Sequence, residues 1–304
     1  MLHTEHLRID PAYRERLHTC GLDRVGDVLT RIDGRVTAWS RTTETLYVPG
    51  ARGQPGFYIK RHYFSRWASR LRGTLRGSFF GTHRGQAEYL ALNHMRALGI
   101  PAVRPVAFGS RRVLHFLTAC FLVTEEAPDA QNLTTFALEV AAGRRKLSRA
   151  DRNLLLRALA EQLAALHATG FSHGNLFWRN VLVRYGPDGR PEFFFLDPQP
   201  PHAWERFGAG GSWWLRELAQ VLVSALPFTT RTERLRFVRH YLGARPLTPE
   251  TKADIREIER LARTWRHHET RRIHMTALFE EWNRELAEEE RRPRAGDAAT
   301  EPRP

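Results

Sequence analysis

The sequence predicts an α+β protein in two parts: an antiparallel N-terminal sheet with one main helix inserted after its third strand, then a mostly helical C-terminal part. Three patterns carry that expectation. Apolar residues alternate from Val36 to Val48 and recur in Phe57-Tyr58-Ile59-Lys60, the period of half-buried strands. Leu155, Leu159, Leu163 and Leu166 fall at helical spacing and make one apolar stripe. Between them and the C-terminus, Val181-Leu182-Val183 and Phe193-Phe194-Phe195-Leu196 flank the turn residues Gly186-Pro187-Asp188-Gly189, which reads as a hairpin.

In chain order, residues 1 to about 34 read as a short leader. Two strands joined near Arg41-Thr42-Thr43 follow, and the breakers from Pro49-Gly50 to Pro55-Gly56 separate them from a third strand at Phe57–Lys60. Thr82 is placed to cap the inserted helix, which ends at Gly99 with Pro101 just beyond. Strands are expected at Val103–Phe108 and Val113–Glu126. Ser148-Arg149-Ala150-Asp151 has capping-box form and opens the helix that Gly170 closes. Helical patterns return at Trp213–Ala225, at Arg231–Leu242 and from Pro249 to about Glu288. Charge, Pro and Ala dominate Glu289–Pro304, which reads as a disordered tail.

Lys and Arg total 47 against 33 acidic residues, so the field of the protein attracts anions: phosphate esters, nucleic acid or an acidic lipid surface. Cys20 and Cys120 show no metal-ligand spacing and read as reduced thiols of a cytoplasmic protein. The start lacks an apolar signal region, and the most apolar run, Phe116–Val123, is too short to cross a bilayer, which leaves peripheral membrane contact.

Two clusters carry chemistry. Lys60 sits in an aromatic and aliphatic strand, where a charge is costly without a partner, although a strand-end lysine reaching water would look the same. Glu88 shares a helix face with Ala91, Leu92 and Met95, so its carboxylate points to the core side unless that face is solvated. Paired, the two can hold an anion at a fixed place. The second cluster is His173-Gly174-Asn175-Leu176-Phe177-Trp178-Arg179-Asn180. Asn180 precedes the first hairpin strand and Asp197 follows the second, so antiparallel pairing brings their side-chain oxygens together, as a hard cation such as Mg2+ requires. Taken singly, Asn180 reads as a turn residue and Asp197 as a loop cap.

Lys60, Glu88, the loop His173–Asn180 and Asp197 follow the order of the protein-kinase signature. Their flanks resemble the lipopolysaccharide kinase (Kdo/WaaP-like) family: Phe57–Arg61, Gly99-Ile100-Pro101 through Val106–Gly109, Phe121–Glu126 and the residues around His173. The resemblance spans roughly Gly21 to Leu242. It implies a bilobal protein-kinase-like fold, with an N-lobe over 35–127, a C-lobe over 128–288 and the tail over 289–304. It also implies that Lys60, held by Glu88, contacts the phosphates of ATP, and that Asn180 and Asp197 carry Mg2+. The backbone at Glu125, Glu126 and Ala127 becomes the adenine-binding hinge, and Glu217 matches a family aspartate that braces the catalytic loop.

Two departures qualify the pattern. Asn175 stands where kinases place the catalytic aspartate, and a carboxamide can accept a hydrogen bond but is not a usable base. A glycine-rich phosphate loop is missing; Ser40-Arg41-Thr42-Thr43 occupies its place. No activation segment is recognisable between Asp197 and Trp213, which counts against a eukaryotic-type protein kinase.

From Thr45 to Ala87 the chain has no acidic residue, while Arg52, Lys60, Arg61, Arg66, Arg70, Arg72, Arg76 and Arg84 are interleaved with Tyr63, Phe64, Trp67, Phe79 and Phe80. Such a stretch suits an anionic, partly apolar surface, or else it is a solvated linker whose aromatics belong to the lobe core. Nucleic acid is disfavoured by the lack of any helix-turn-helix, zinc or RNA-binding signature. The expected function is phosphorylation of a sugar hydroxyl on a lipid-linked glycan, at the cytoplasmic face of the inner membrane and with an anionic glycolipid or lipopolysaccharide core as acceptor. A nucleotide-binding pseudokinase with a scaffolding role at the envelope is the alternative, and a soluble kinase of the aminoglycoside type is a weaker third.

Overall fold

The computed structural model describes residues 3–40, 42–64, 82–199, 213–243 and 246–291. Arg41, most of the basic aromatic stretch, most of the interval between Asp197 and Trp213, and the end of the tail lie outside the described residues.

The N-terminal lobe is one antiparallel sheet with helices on it. Its elements are β1 (His3–Ile9), α1 (Arg14–Thr19), α2 (Val25–Thr30), β2 (Arg35–Trp39), β3 (Thr43–Val48), β4 (Phe57–Tyr63), α3 (Arg84–Ala97), β5 (Pro105–Val113) and β6 (Phe116–Glu125). The strand order is β1-β5-β6-β4-β3-β2.

Residues 3–30, read from the sequence as a short leader, pack into this lobe. β1 pairs with β5 from His3↔Val113 to Ile9↔Ala107, and Leu17, Leu22 and Val28 are fully buried in the core of this lobe. The strand escapes a periodicity reading because it lies at the sheet edge, where most of its side chains stay exposed. Two smaller differences concern ends. The N-cap of α3 is His83, whose ring accepts from the Gln86 N–H at 3.2 Å, and not Thr82. β5 runs on to Val113 because Leu114 and His115 both take positive φ, the two-residue turn that matches strand twist.

The C-terminal part contains β7 (Gln131–Asn132), α4 (Leu133–Ala141), α5 (Arg149–Ala168), β8 (Val181–Tyr185), β9 (Pro191–Phe195), α6 (Trp213–Ala225), α7 (Arg231–Tyr241) and α8 (Pro249–Arg291). Ser148 and Asp151 close both halves of the capping box on α5. The sequence reading assigns nothing to α4. That helix is capped by Asn132, which accepts from Thr135 N–H at 2.8 Å, and it is too apolar throughout to show a polar face.

Two features lock the site elements in place. Gly85 lets the start of α3 lie against β6, since a Cβ there would stand 2.3 Å from the Phe121 carbonyl oxygen. Where α3 ends, the chain pairs with β9: Phe195 N–H donates to Pro101 O and Val103 N–H to Phe195 O, each at 3.0 Å. One core cluster runs through this junction, from Leu92, Met95 and Leu122 to Leu163, Phe195 and Val221, so helix α3 and strand β9 share one packed interior.

Candidate active site

Lys60 lies mid-strand on β4, opposite Thr45 of β3 and Leu122 of β6. Its ammonium donates to Glu88 Oε2 at 2.9 Å and contacts Asp197 Oδ1. Burial alone would depress the lysine; the charges of Glu88 and Asp197 outweigh it and hold its pKa above the ordinary value. Burial raises the Glu88 carboxyl against the pull of Lys60, and the Asp197 charge adds to the rise. Two carboxylates share one ammonium here, so the trio carries a formal charge of −1.

Asp197 lies two residues past the end of β9 and has φ of 59°, a left-handed backbone in front of Pro198 that costs roughly 1–3 kcal/mol and tends to persist where a side chain must be aimed. Asn180 sits across the hairpin, with Leu196 N–H donating to its carbonyl at 3.1 Å. The Asn180 amide donates to Asn175 O at 2.8 Å, and its Oδ1 accepts nothing among the described residues. Asn175 Nδ2 in turn donates to Asp197 Oδ2 at 2.8 Å. An ionised carboxylate only accepts, so the amide must face Asp197 with its nitrogen, which leaves Oδ1 turned elsewhere. Lys60, Glu88, Asn175, Asn180 and Asp197 thus converge on one place.

Behind this cluster, α6 grips the loop through residues at i, i+3 and i+7. Glu217 accepts from Gly174 N–H and Ser172 Oγ–H, both at 2.6 Å. Gln220 Oε1 accepts from Leu176 N–H at 2.6 Å, and Ser224 Oγ from Trp178 N–H at 3.3 Å. Alternate backbone donors of the loop are matched to one helix face. The Ser224 hydroxyl donates to Glu269 of α8 at 2.9 Å, and Glu269, only 1% exposed, also holds the guanidinium of Arg179, which lies over the Phe177 ring. Burial would raise the Glu217 carboxyl, but the His167 ring at 3.1 Å and the Ser172 hydroxyl hold it below the usual carboxylate range. Burial keeps His173 neutral; its Nδ1 accepts from Asn175 N–H at 3.3 Å, so the ring proton sits on Nε2. Gly174 has φ of 71°, and a Cβ there would meet Gln199 Cγ at 2.8 Å, so glycine is required at this turn.

A protein-family model described as the lipopolysaccharide kinase (Kdo/WaaP) family matches residues 23–241. The chain belongs to the lipopolysaccharide kinase family. Among solved structures it is similar to WaaP in complex with acyl carrier protein, with 20% sequence identity and a TM-score of 0.56 over 85% of this chain and 98% of that one. At that identity the likeness shows the fold, a kinase-like α+β architecture. A comparison with curated proteins found no match.

In this lipopolysaccharide kinase-family chain, the segment expected as a hinge is tightly bound. Glu125 N–H donates to Arg104 O at 2.8 Å and Glu126 N–H to Gly56 O at 2.9 Å, while the Ala127 N–H makes no hydrogen bond among the described residues. The side chains are engaged too: Glu125 accepts from Tyr13 and Arg16, Glu126 from Tyr47 and the Gly56 N–H. Of the basic stretch, Arg61 is buried against Glu44 and the Tyr63 hydroxyl donates to Leu29 O, so both serve the lobe interior. The sequence reading found Glu217 but missed Gln220, Ser224 and Glu269. The spacing of 217, 220 and 224 on one face of a mostly apolar helix was the available signal; nothing local marked Glu269.

The donor set suits magnesium. A carboxylate and a carboxamide oxygen are hard ligands, one or two of which suffice when phosphates and water complete the shell, and the trio's excess negative charge favours a cation. No cluster of three or more His, Cys, Asp or Glu residues that could hold a metal by themselves is found among the described residues.

Proposed function

We propose that this chain is an ATP-dependent phosphotransferase that phosphorylates a sugar hydroxyl on a lipid-linked core glycan. The observation that carries the reading is the meeting of Lys60, Glu88 and Asp197, from three elements, with Asn180 at the mouth of the β8–β9 hairpin. Lys60 binds the α and β phosphates and Glu88 fixes its position. Asn180 Oδ1 and Asp197 would hold magnesium, which would supply positive charge against the phosphates. The free N–H of Ala127 is the hinge donor left for adenine. The ladder Glu217, Gln220 and Ser224 keeps the loop from moving as substrate enters, so positioning is built in before binding.

Asn175 Oδ1 accepts a hydrogen bond from the acceptor hydroxyl and orients it but takes no proton, which leaves instead to an oxygen of the transferred phosphoryl group or to water. General-base help is worth about 10² to 10⁴ in rate, so transfer is slow and rests on positioning and charge. A cavity of about 800 Å³ among α5, α6, α7 and α8, lined by Trp178, Leu218, Phe237 and Ile258, has the size and apolar character to receive the hydrocarbon part of a lipid-linked acceptor. No helix among the described residues is long and apolar enough to cross a membrane, and the net charge of +14 supports a peripheral place at the inner membrane.

A second reading, a nucleotide-binding pseudokinase, is favoured by one contact. Asn175 donates to Asp197 where a catalytic aspartate would repel it. Two experiments separate the readings. ATP affinity measured with and without magnesium should rise with the metal for the chain as it stands, and that gain, about 10- to 100-fold, should vanish in Asp197→Ala. Equal affinities in all four measurements would defeat the metal assignment. With a lipopolysaccharide acceptor, Asn175→Asp should raise phosphate transfer by at least about 100-fold; no gain would favour the pseudokinase.

A further inference from the structure

The helix that clamps the loop through Glu269 continues well past it. Up to Glu280 its inner face is occupied: Ala262, Glu269 and Ile273 are buried, and Glu280 accepts from the Thr135 hydroxyl at 3.3 Å. Its outer face carries Met275, Leu278, Trp282 and Leu286, each 39 to 55% exposed. Steps of three, four and four residues put them on one stripe about 17 Å long. Phe279 sits beside it with its ring 6.0 Å from that of Trp282. Large apolar side chains scattered singly need no explanation, but four in a row on one helix face, opposite the buried side, form a patch of the kind that marks an interaction site.

The charges around the stripe are sorted along its length. Arg271 and Arg272 precede it; Glu281 and Glu285 flank its far half, and Glu288-Glu289-Glu290 follow in sequence. Between Arg271 and Arg291 there are four arginines against six glutamates, a balance that disfavours an anionic lipid surface. The same sorting is self-complementary. A second copy laid antiparallel sets each basic end against an acidic end, whereas a parallel copy sets like charges together. With Met275 of one copy level with Leu286 of the other, Trp282 comes level with Phe279 and position 272 with position 289.

We propose that this face of α8 is a self-association surface on which two copies of the chain pair antiparallel about a twofold axis. The proposal stands independently of the activity assigned above. Because the pairing helix also bears Glu269, dimer formation reaches the loop His173–Asn180 through one rigid element.

Sedimentation of the full chain tests it. A dimer that forms reversibly between about 1 and 100 μM is expected, since one stripe of this size makes a small interface. Leu278→Glu with Trp282→Glu should abolish the dimer while leaving the helical circular dichroism unchanged, because both side chains are exposed. Arg271→Glu with Arg272→Glu should weaken it at least about tenfold, and mixing that variant with Glu289→Arg, Glu290→Arg should restore a mixed dimer. A monomer throughout the range, a dimer that survives the Leu278 and Trp282 substitutions, or binding of the monomer to anionic vesicles that depends on Trp282 would each overturn the proposal.

Discussion

On the side of the loop His173–Asn180 that faces α6 and α8, each buried carboxylate is surrounded by donors. Glu217 receives a backbone N–H, a hydroxyl and an imidazole; Glu269 receives a hydroxyl and a guanidinium. On the side that faces Lys60, two carboxylates share one ammonium, and Asp197 fills its second oxygen with a neutral amide. The carboxylates of the rear are satisfied by the protein alone. The front is left one negative charge in excess, which makes it receptive to a cation while costing stability in its absence. Rigidity and receptivity are thus placed on opposite faces of the same eight residues.

This contrast predicts unequal costs. The largest should follow Glu269→Ala, which strips Arg179 and Ser224 of a buried partner; urea unfolding should show a loss of about 3 kcal/mol. A loss under about 0.5 kcal/mol would mean that α8 does not hold the loop.

Glu217→Gln comes next, at about 2 kcal/mol near neutral pH, and its pH dependence has a defined sign. The folded pKa of Glu217 is depressed below the ordinary 4.5. The stability it contributes is therefore whole above the unfolded value and is lost as pH falls through the lower folded one. The gap between the native chain and the variant should narrow below about pH 4.5, and a gap that stays constant into acid would show that the charge of Glu217 is irrelevant. Glu88→Gln should cost least, within about 1 kcal/mol, because Lys60 keeps Asp197 and the pair that remains is balanced. Titration of the same variant with ATP should nevertheless show about tenfold weaker binding. A large destabilisation with unchanged affinity would reverse the roles of front and rear.

The residues at the front were legible in the chain because each is an exception to its surroundings. Lys60 interrupts an apolar strand, Glu88 lies on an apolar helix face, and Asn180 and Asp197 sit at matching ends of a hairpin whose turn residues announce it. The rear was harder. Glu217 entered only through a family resemblance. Gln220 and Ser224 look like ordinary polar residues of a helix until their targets, the alternate N–H groups of a distant loop, are known. Edge strand β1 and the apolar helix α4 escaped for a related cause: a strand exposed on most positions and a helix buried on most positions both lack the contrast on which periodicity depends.

By itself, then, the sequence determined which residues bear charge where charge is expensive and in what order they come. That order suffices for the hairpin and for which charged residues meet at its mouth, because local pattern and burial cost act along the chain. The tertiary structure alone decided how those charges balance. Whether one ammonium serves one carboxylate or two, and whether Glu269 reaches a loop about ninety positions away in sequence, depends on distances of a few ångströms set by the packing of α3, α6 and α8. Electrostatic energy varies with that separation and not with position in the chain.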